Sequence, residues 1–272
     1  MDIFAWNTVY SLNANGTKTL EVTFFDVGQG DAIFIETPNG HQILIDGGPN
    51  SKILEKLSKE MPFFDRSLDL IILTHPEKDH LTGLIDVLKN YQVDNIFWTG
   101  VARESAEWKE WDELIKKEGA RIEIASYGDR ILLEESESGM FFDVLYPSES
   151  LEGKKFEESN NTSVVLRLIF GETSFLFTGD IEKQAEKELV DRNIDSDVIK
   201  IAHHGSKTSS SEEFIEKVSP KIAIIEVGKN SYGHPSQEVL MILERFGIKT
   251  LTTEKQGDIK IISEGNKIYE RN

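Results

Sequence analysis

Apolar and polar positions follow two rhythms along this chain, and the switches between them lay out a succession of strands and helices. LEVTFFDV (20–27), AIFIET (32–37) and HQILID (41–46) are short apolar runs divided by turn residues, among them Pro38-Asn39-Gly40. With Asn15-Gly16, a hairpin dipeptide, ahead of them, they predict an antiparallel meander. DLIILT (69–74) is continuously apolar, as in a strand covered on both faces. Helices are predicted over about 50–60, 81–90 and 104–118, the last from Trp108, Trp111, Leu114 and Ile115 at helical spacing. Strands NIFW (95–98) and RIEIA (121–125) accompany them. Further on, FFDVLY (141–146), SVVLRLIF (163–170) and TSFLFTG (173–179) read as strands, the last two joined at Gly171. A helix over 181–191, strand DVIKIA (197–202), a helix over 211–218 and strand KIAIIEV (221–227) follow. A helix over 236–246, started by Pro235 at its first position, and strands near 249–253 and 258–262 close the pattern. The polar stretch 134–162 divides the chain. Each half runs strands first and strand–helix alternation second. That predicts one domain over 1–272 built from two pseudo-halves: an α/β fold of two mixed sheets face to face with helices outside, a four-layer αββα sandwich.

Composition changes this picture mainly by exclusion. At 272 residues the chain is long enough to bury a substantial core. The absence of Cys removes disulfides, thiolate metal sites and Cys nucleophiles. No window approaches the ~18 consecutive apolar residues of a spanning helix. The opening MDIFAWNTVY has no basic segment and does not read as a secretion signal, so the cytoplasm is the expected compartment. Lys plus Arg number 30 against 48 Asp plus Glu, a net charge of −18 that argues against a broad basic footprint for nucleic acid. It leaves room for a local positive site made by bound cations.

The candidate chemistry gathers where predicted strands end. In LTHPEKDHLTG (73–83), His75, Glu77, Asp79 and His80 follow strand 69–74, and all four side chains carry metal-binding atoms. FLFTGD brings a strand into Asp180, and IKIAHHGSKTSSS (199–211) ends another in His203 and His204. SYGHPS (231–236) places His234 between Gly and Pro. A plainer reading exists for each: Asp79 and Asp180 as helix N-caps, the histidines as polar strand-end residues. His41 reads as an ordinary surface His. Asp46 ends an apolar strand before Gly47-Gly48 and is placed to orient a ligating His from behind, a role also given to Asp31, which flanks the VGQG turn with Asp26. Neither a GxGxxG nor a P-loop pattern is present.

The order of these motifs resembles the metallo-β-lactamase superfamily, and within it the hydrolase domain of the ComEC/Rec2 competence family. The matching stretches are FFDVGQGDAIFIETPNGHQILIDGG (24–48), THPEKDHLTGL (74–84), NNTSVVLRL (160–168), FLFTGDIE (175–182), IKIAHHGS (199–206) and SYGHPSQEVL (231–240). The membrane channel and oligonucleotide-binding domain of the competence protein have no counterpart here, which suggests a stand-alone, soluble relative. The superfamily's HxHxDH motif reads HPEKDH, with Glu77 in place of the middle His. The His of the third motif is replaced by Asn160, with Asn161 as the alternative. The resemblance then implies two cation positions. His75, Glu77 and Asn160 would form the first; Asp79, His80, Asp180 and either His203 or His204 the second, with Asp180 bridging. Oxygen donors in place of imidazoles weaken the first position and shift it toward Mn²⁺ or Mg²⁺; Zn²⁺ suits the second.

The implied reaction is hydrolysis of a phosphodiester, DNA or a nucleotide, by water activated between two divalent ions ~3.5–4 Å apart. Asp79, His203 and His234 are the residues expected to take part in the chemistry. Ser206, Lys207 and His234 are the candidate phosphate contacts. A small-molecule phosphodiesterase is the alternative that the −18 charge favours. A non-catalytic metal-binding scaffold ranks lower, and β-lactam hydrolysis is not expected.

Overall fold

A computed structural model describes residues 2–4, 19–134 and 139–271; the Asn15-Gly16 turn and part of the 134–162 stretch lie outside them. The chain enters with β1 (Asp2–Phe4) and lays down β2 (Leu20–Phe24), β3 (Ile33–Glu36) and β4 (Gln42–Ile45) as the antiparallel meander. Strand–helix units follow in parallel: α1 (Lys52–Glu60), β5 (Ser67–Leu73), α2 (Lys78–Asn90), β6 (Gln92–Trp98), α3 (Ala106–Glu118) and β7 (Arg121–Ile124). The second sheet repeats the plan. β8 (Arg130–Glu134), β9 (Met140–Tyr146), β10 (Val165–Phe170) and β11 (Thr173–Phe177) are antiparallel. Then α4 (Lys183–Leu189), β12 (Val198–Lys200), α5 (Glu212–Val218), β13 (Ile222–Ile225), α6 (Gln237–Arg245) and β14 (Lys249–Thr252) form parallel units. β15 (Ile259–Ser263) and β16 (Ile268–Arg271) cross back to the first sheet, where β15 pairs with β2. Each sheet has eight strands, ordered β16-β15-β2-β3-β4-β5-β6-β7 and β1-β8-β9-β10-β11-β12-β13-β14.

Strand alternation sorts the side chains into three apolar layers. Between the sheets lie Val22, Phe24, Ile43, Ile45, Leu70, Ile72, Phe142, Phe175, Phe177, Val198 and Ile224. The opposite-facing Leu44, Ile71 and Leu73 pack under α1, α2 and α3 against Leu57, Leu84 and Trp111. Leu176, Ile199, Ala223 and Ile225 do the same under α4, α5 and α6. The result is the αββα arrangement that the hydrophobic pattern predicts. No helix among the described residues is long and apolar enough to cross a membrane.

Local departures have identifiable causes. α2 starts at Lys78, ahead of the expected 81, because its first turn is polar and carries Asp79 and His80. Pro235 sits just outside α6, not at its first position: Ser236 is the cap, its hydroxyl accepting from the Val239 amide. β8 and β16 were not foreseen from the pattern. The turns after β4, β5, β11, β12 and β13 all open at the same end of the two sheets, where the chemistry-bearing residues collect.

Candidate metal centre

Each turn delivers its side chain by a specific backbone device. Asp46 follows β4 at φ 57°, and His203 and His204 follow β12 at φ 50° and 52°, a left-handed conformation that L side chains seldom adopt. Three such residues at one sheet end are concentrated where side chains must turn inward. α2 is seated by main-chain bonds from Gly47 to His80 O (2.8 Å), from Gly83 to Gly48 O (2.9 Å) and from Asp31 to Asp79 O (3.2 Å). These fix the first turn of α2 against the loop after β4. Neither Asp79 nor Asp180 is a helix cap: Glu77 and Glu182 occupy those positions.

Three buried histidines are each tied at Nδ1. His80 Nδ1 lies 2.7 Å from Asp46 Oδ2. His204 Nδ1 lies 2.8 Å from the Glu226 carbonyl. The Thr74 hydroxyl donates to Asp46 Oδ2 (2.7 Å) and faces His75 Nδ1 at 3.0 Å. A hydroxyl that donates to Asp46 can accept from His75, so Nδ1 carries the proton and Nε2 keeps its lone pair. Asp46 also accepts from the Thr74 amide at 2.8 Å. Asp46 thus bonds one imidazole directly and is linked to a second through the Thr74 hydroxyl.

The free ring edges converge. His80 Nε2 lies 3.3 Å and His204 Nε2 3.5 Å from Asp180 Oδ2, and His204 Nε2 is 3.2 Å from Asp79 Oδ2. Asp31, His80, Asp180 and His204 each bring a donor atom within 4.8 Å of the others. Asp31 approaches from behind, though: its oxygens lie 3.7 Å from His80 Nδ1 and 3.3 Å from His204 Nδ1. The front of the cluster is Asp79, His80, Asp180 and His204. His80 Nε2 and His75 Nε2 are buried without a hydrogen-bond partner. Two oriented imidazole nitrogens and two carboxylates around unsatisfied ring nitrogens fit a divalent cation.

The protonation pattern is that of a cation trap. Burial opposes charge on His204, but Asp180 and Asp31 override it and push the ring up to about 10. His80 is likewise raised well above its ordinary value against burial, chiefly by Asp180, Asp31 and Asp46. Burial works to raise Asp180, and His204, His80 and Lys200 together hold it well below the usual carboxylate range. Burial, with His80 beside it, pushes His75 down to about 3, so this ring is neutral. Lys200, buried at the end of β12, donates to Gly179 O (2.9 Å), contacts Asp31 Oδ2 and lies 3.3 Å from Asp180 Oδ1. Glu226, at the end of β13, accepts from the Ala32 amide at 2.9 Å, and burial and Asp31 raise its pKa strongly. Sequence reasoning passed over both. The signal available in the chain is a charge enclosed by apolar residues, Lys200 in VIKIA and Glu226 in IAIIEV.

A cavity of about 710 Å³ opens over the cluster, lined among others by Asp79, Asp180, His203, His204, Lys229 and His234. His203 turns away from the cluster: its Nδ1 lies 3.4 Å from Asn160 Nδ2 and 3.5 Å from Glu182 Oε1. Its ring is 5.5 Å from that of His234, whose Nδ1 is buried without a partner. Glu77 reaches the cavity wall but is paired with Arg103 (2.7 Å) and bonded to the Ser159 hydroxyl. Asn160 lines the cavity; Asn161 instead accepts from the Glu182 amide at 2.8 Å. Ser206 is buried and bonded to Thr208, Lys207 is exposed, and neither lines the cavity. His41 is half-buried, 3.4 Å from Asp69.

The chain belongs to the metallo-β-lactamase superfamily, whose profile matches residues 25–228. Among curated proteins it is similar to ComE operon protein 3 of Bacillus subtilis (strain 168), 35% identical over 261 residues, covering 88% of this chain and 32% of that one. It is also similar to competence protein ComA of Neisseria gonorrhoeae, 32% identical over 250 residues, covering 88% of this chain and 32% of that one. The chain thus spans about a third of the length of these relatives. The crystal structure of the metallo-β-lactamase fold protein YhfI from Bacillus subtilis shares the fold, with a TM-score of 0.61 at 12% identity, covering 94% of this chain and all of that one.

Proposed function

We propose that this chain is a metal-dependent hydrolase of phosphodiesters, with DNA as its substrate. The observation that carries the reading is the front of the cluster: His80 Nε2 and His204 Nε2, both fixed from behind, face Asp180 Oδ2 at 3.3 and 3.5 Å beneath an open cavity. Asp79, His80, Asp180 and His204 would hold a divalent cation, which would supply Lewis-acid activation of water and charge neutralisation on a phosphoryl oxygen. The remaining residues bind and orient the ester. His234 lines the cavity, and burial and His203 lower its pKa, so its ring is neutral at pH 7. His203 stands next to it on the cavity wall and is the candidate proton donor to the leaving oxygen. Lys229 lines the cavity without an ion pair among the described residues and is the phosphate-facing cation.

The choice of DNA rests on the resemblance to competence proteins. A second reading, a small-molecule phosphodiester, is favoured by the −18 charge and by Glu157 and Glu158 on the cavity wall. Protein reconstituted with Mn²⁺ or Zn²⁺, assayed on single-stranded DNA, duplex DNA and a chromogenic phosphodiester beside an Asp180→Ala control, separates the two. Cleavage of DNA, lost in the control, is the expected result. Cleavage of the small ester alone selects the second reading, and equal activity in the control removes both.

A further inference from the structure

We infer that the centre holds one divalent cation per chain and that the ammonium of Lys200, set against Asp180, supplies the positive charge that a second ion would bring. The inference rests on the hydrolase reading and concerns how many ions that site takes.

A second ion needs a second set of donors, and a carboxylate that spans two ions with its two oxygens must have both of them free. Asp180 Oδ2 faces His80 and His204, but Asp180 Oδ1 lies 3.3 Å from Lys200 Nζ. The ammonium has three hydrogens and three oxygens around it: Gly179 O, Asp31 Oδ2 and Asp180 Oδ1. It is therefore saturated and not free to swing aside. It is also wholly buried, sharing the inter-sheet face of β12 with Val198, so solvent offers it no alternative partner.

The other donors for a second ion are engaged or turned away. Glu77 is held by Arg103 at 2.7 Å and by the Ser159 hydroxyl. The Asn160 amide faces His203 Nδ1 at 3.4 Å. Of the three donors expected at the first position only His75 Nε2 is left, and a single neutral nitrogen falls short of the three or four protein ligands that zinc takes. Among the described residues, Asp31, His80, Asp180 and His204 are the one group of three or more metal-binding side chains whose donor atoms all lie within 4.8 Å of one another, and neither His75 nor Glu77 joins it. Lys200 is thus a positioning residue: it fixes which oxygen of Asp180 faces the ion and keeps a fixed cation behind it.

The test reads metal content as well as turnover. Metal-stripped chain is titrated with Mn²⁺ and followed by electron paramagnetic resonance, with bound metal counted by mass spectrometry. One equivalent with an uncoupled six-line spectrum is expected. Two equivalents with a dipole-coupled spectrum overturn the one-ion count and leave the hydrolase reading standing; no bound ion overturns both. In Lys200→Met, loss of the opposing charge should tighten the Mn²⁺ dissociation constant about tenfold or more, while Lys200→Arg stays within about threefold of the parent. A lysine that merely held the fold would weaken binding on replacement, and that result overturns its charge role. Should Lys200→Met fail to fold, the parent spectrum alone still decides the count.

Discussion

Asp46 carries more of the centre than any side chain facing the cavity. It is fully buried at φ 57°, and its two oxygens satisfy the Thr74 amide, the Thr74 hydroxyl and His80 Nδ1. Asp46→Ala leaves these donors unpaired, a cost of about 1–3 kcal/mol that chemical denaturation will register. It also frees the His80 and His75 rings to rotate, so divalent-metal affinity should fall about 10–100-fold in a direct titration. An unchanged affinity would mean the rings are held by packing alone. The raised histidines make a second demand. In the metal-free protein His204, pushed up to about 10, is protonated at pH 7 with Nε2 facing Asp79 Oδ2 at 3.2 Å. An ion taking that nitrogen displaces the proton. Affinity therefore rises with pH until the His204 pKa is passed, by about one log unit per pH unit for each proton released. Calorimetric titration at pH 7 in buffers of different ionisation enthalpy should count at least one proton released per ion. A heat independent of buffer contradicts the assignment of His204 as a ligand.

α2 is positioned by the closest backbone approach in the site. A Cβ on Gly83 would stand 1.8 Å from Gly47 O, and one on Gly47 would stand 2.3 Å from the Leu84 amide nitrogen. The helix rides on the loop that presents Asp46, so its first turn sets Asp79 and His80 opposite Asp180. Gly83→Ala must push the two apart. The expected cost is about 1–3 kcal/mol in denaturant unfolding, with a parallel loss of metal affinity. A loss of stability with intact affinity would show that the centre does not depend on this packing. Such contacts cannot be read from a chain, whereas periodicity can, which is why β2 through β7 and α1 through α3 stand in the hydrophobic pattern. β8 and β16 escaped it because the apolar run at 131–133 is only three residues long beside the polar 134–162 stretch, and Ile268–Arg271 alternates half-buried with exposed residues. The candidate ligands are conspicuous because Asp and His crowd the ends of apolar strands. What stayed hidden was their engagement: nothing in HPEKDH says that Glu77 is taken by Arg103, and nothing in HHG says that the second His faces Asp180 while the first faces Asn160.

Under the proposed hydrolase reading, the charge of the whole chain bears on which phosphodiester would be taken. At −18 it repels a polyanion over the Debye length, ~30 Å at 0.01 M salt and ~8 Å at 0.15 M. The cations near the mouth do little to offset this: Lys78 pairs with Glu107 at 2.7 Å and Arg103 with Glu77 at 2.7 Å, leaving Lys229. Proteins that bind DNA through many phosphate contacts lose affinity steeply as salt rises, because counterions are released on binding. Here few contacts release counterions, and long-range repulsion is the larger effect. The rate constant kcat/KM on single-stranded DNA should therefore rise between about 0.01 and 0.15 M salt, then level off once the field is screened to contact range. A singly charged chromogenic diester feels the same field with one charge and should change far less. Measuring both substrates against ionic strength with one metal-loaded preparation isolates the field from any effect of salt on the centre. A DNA rate that instead falls with a log–log slope of several would reveal a basic binding track that the cavity residues do not provide, and the weight placed on repulsion would have to be withdrawn.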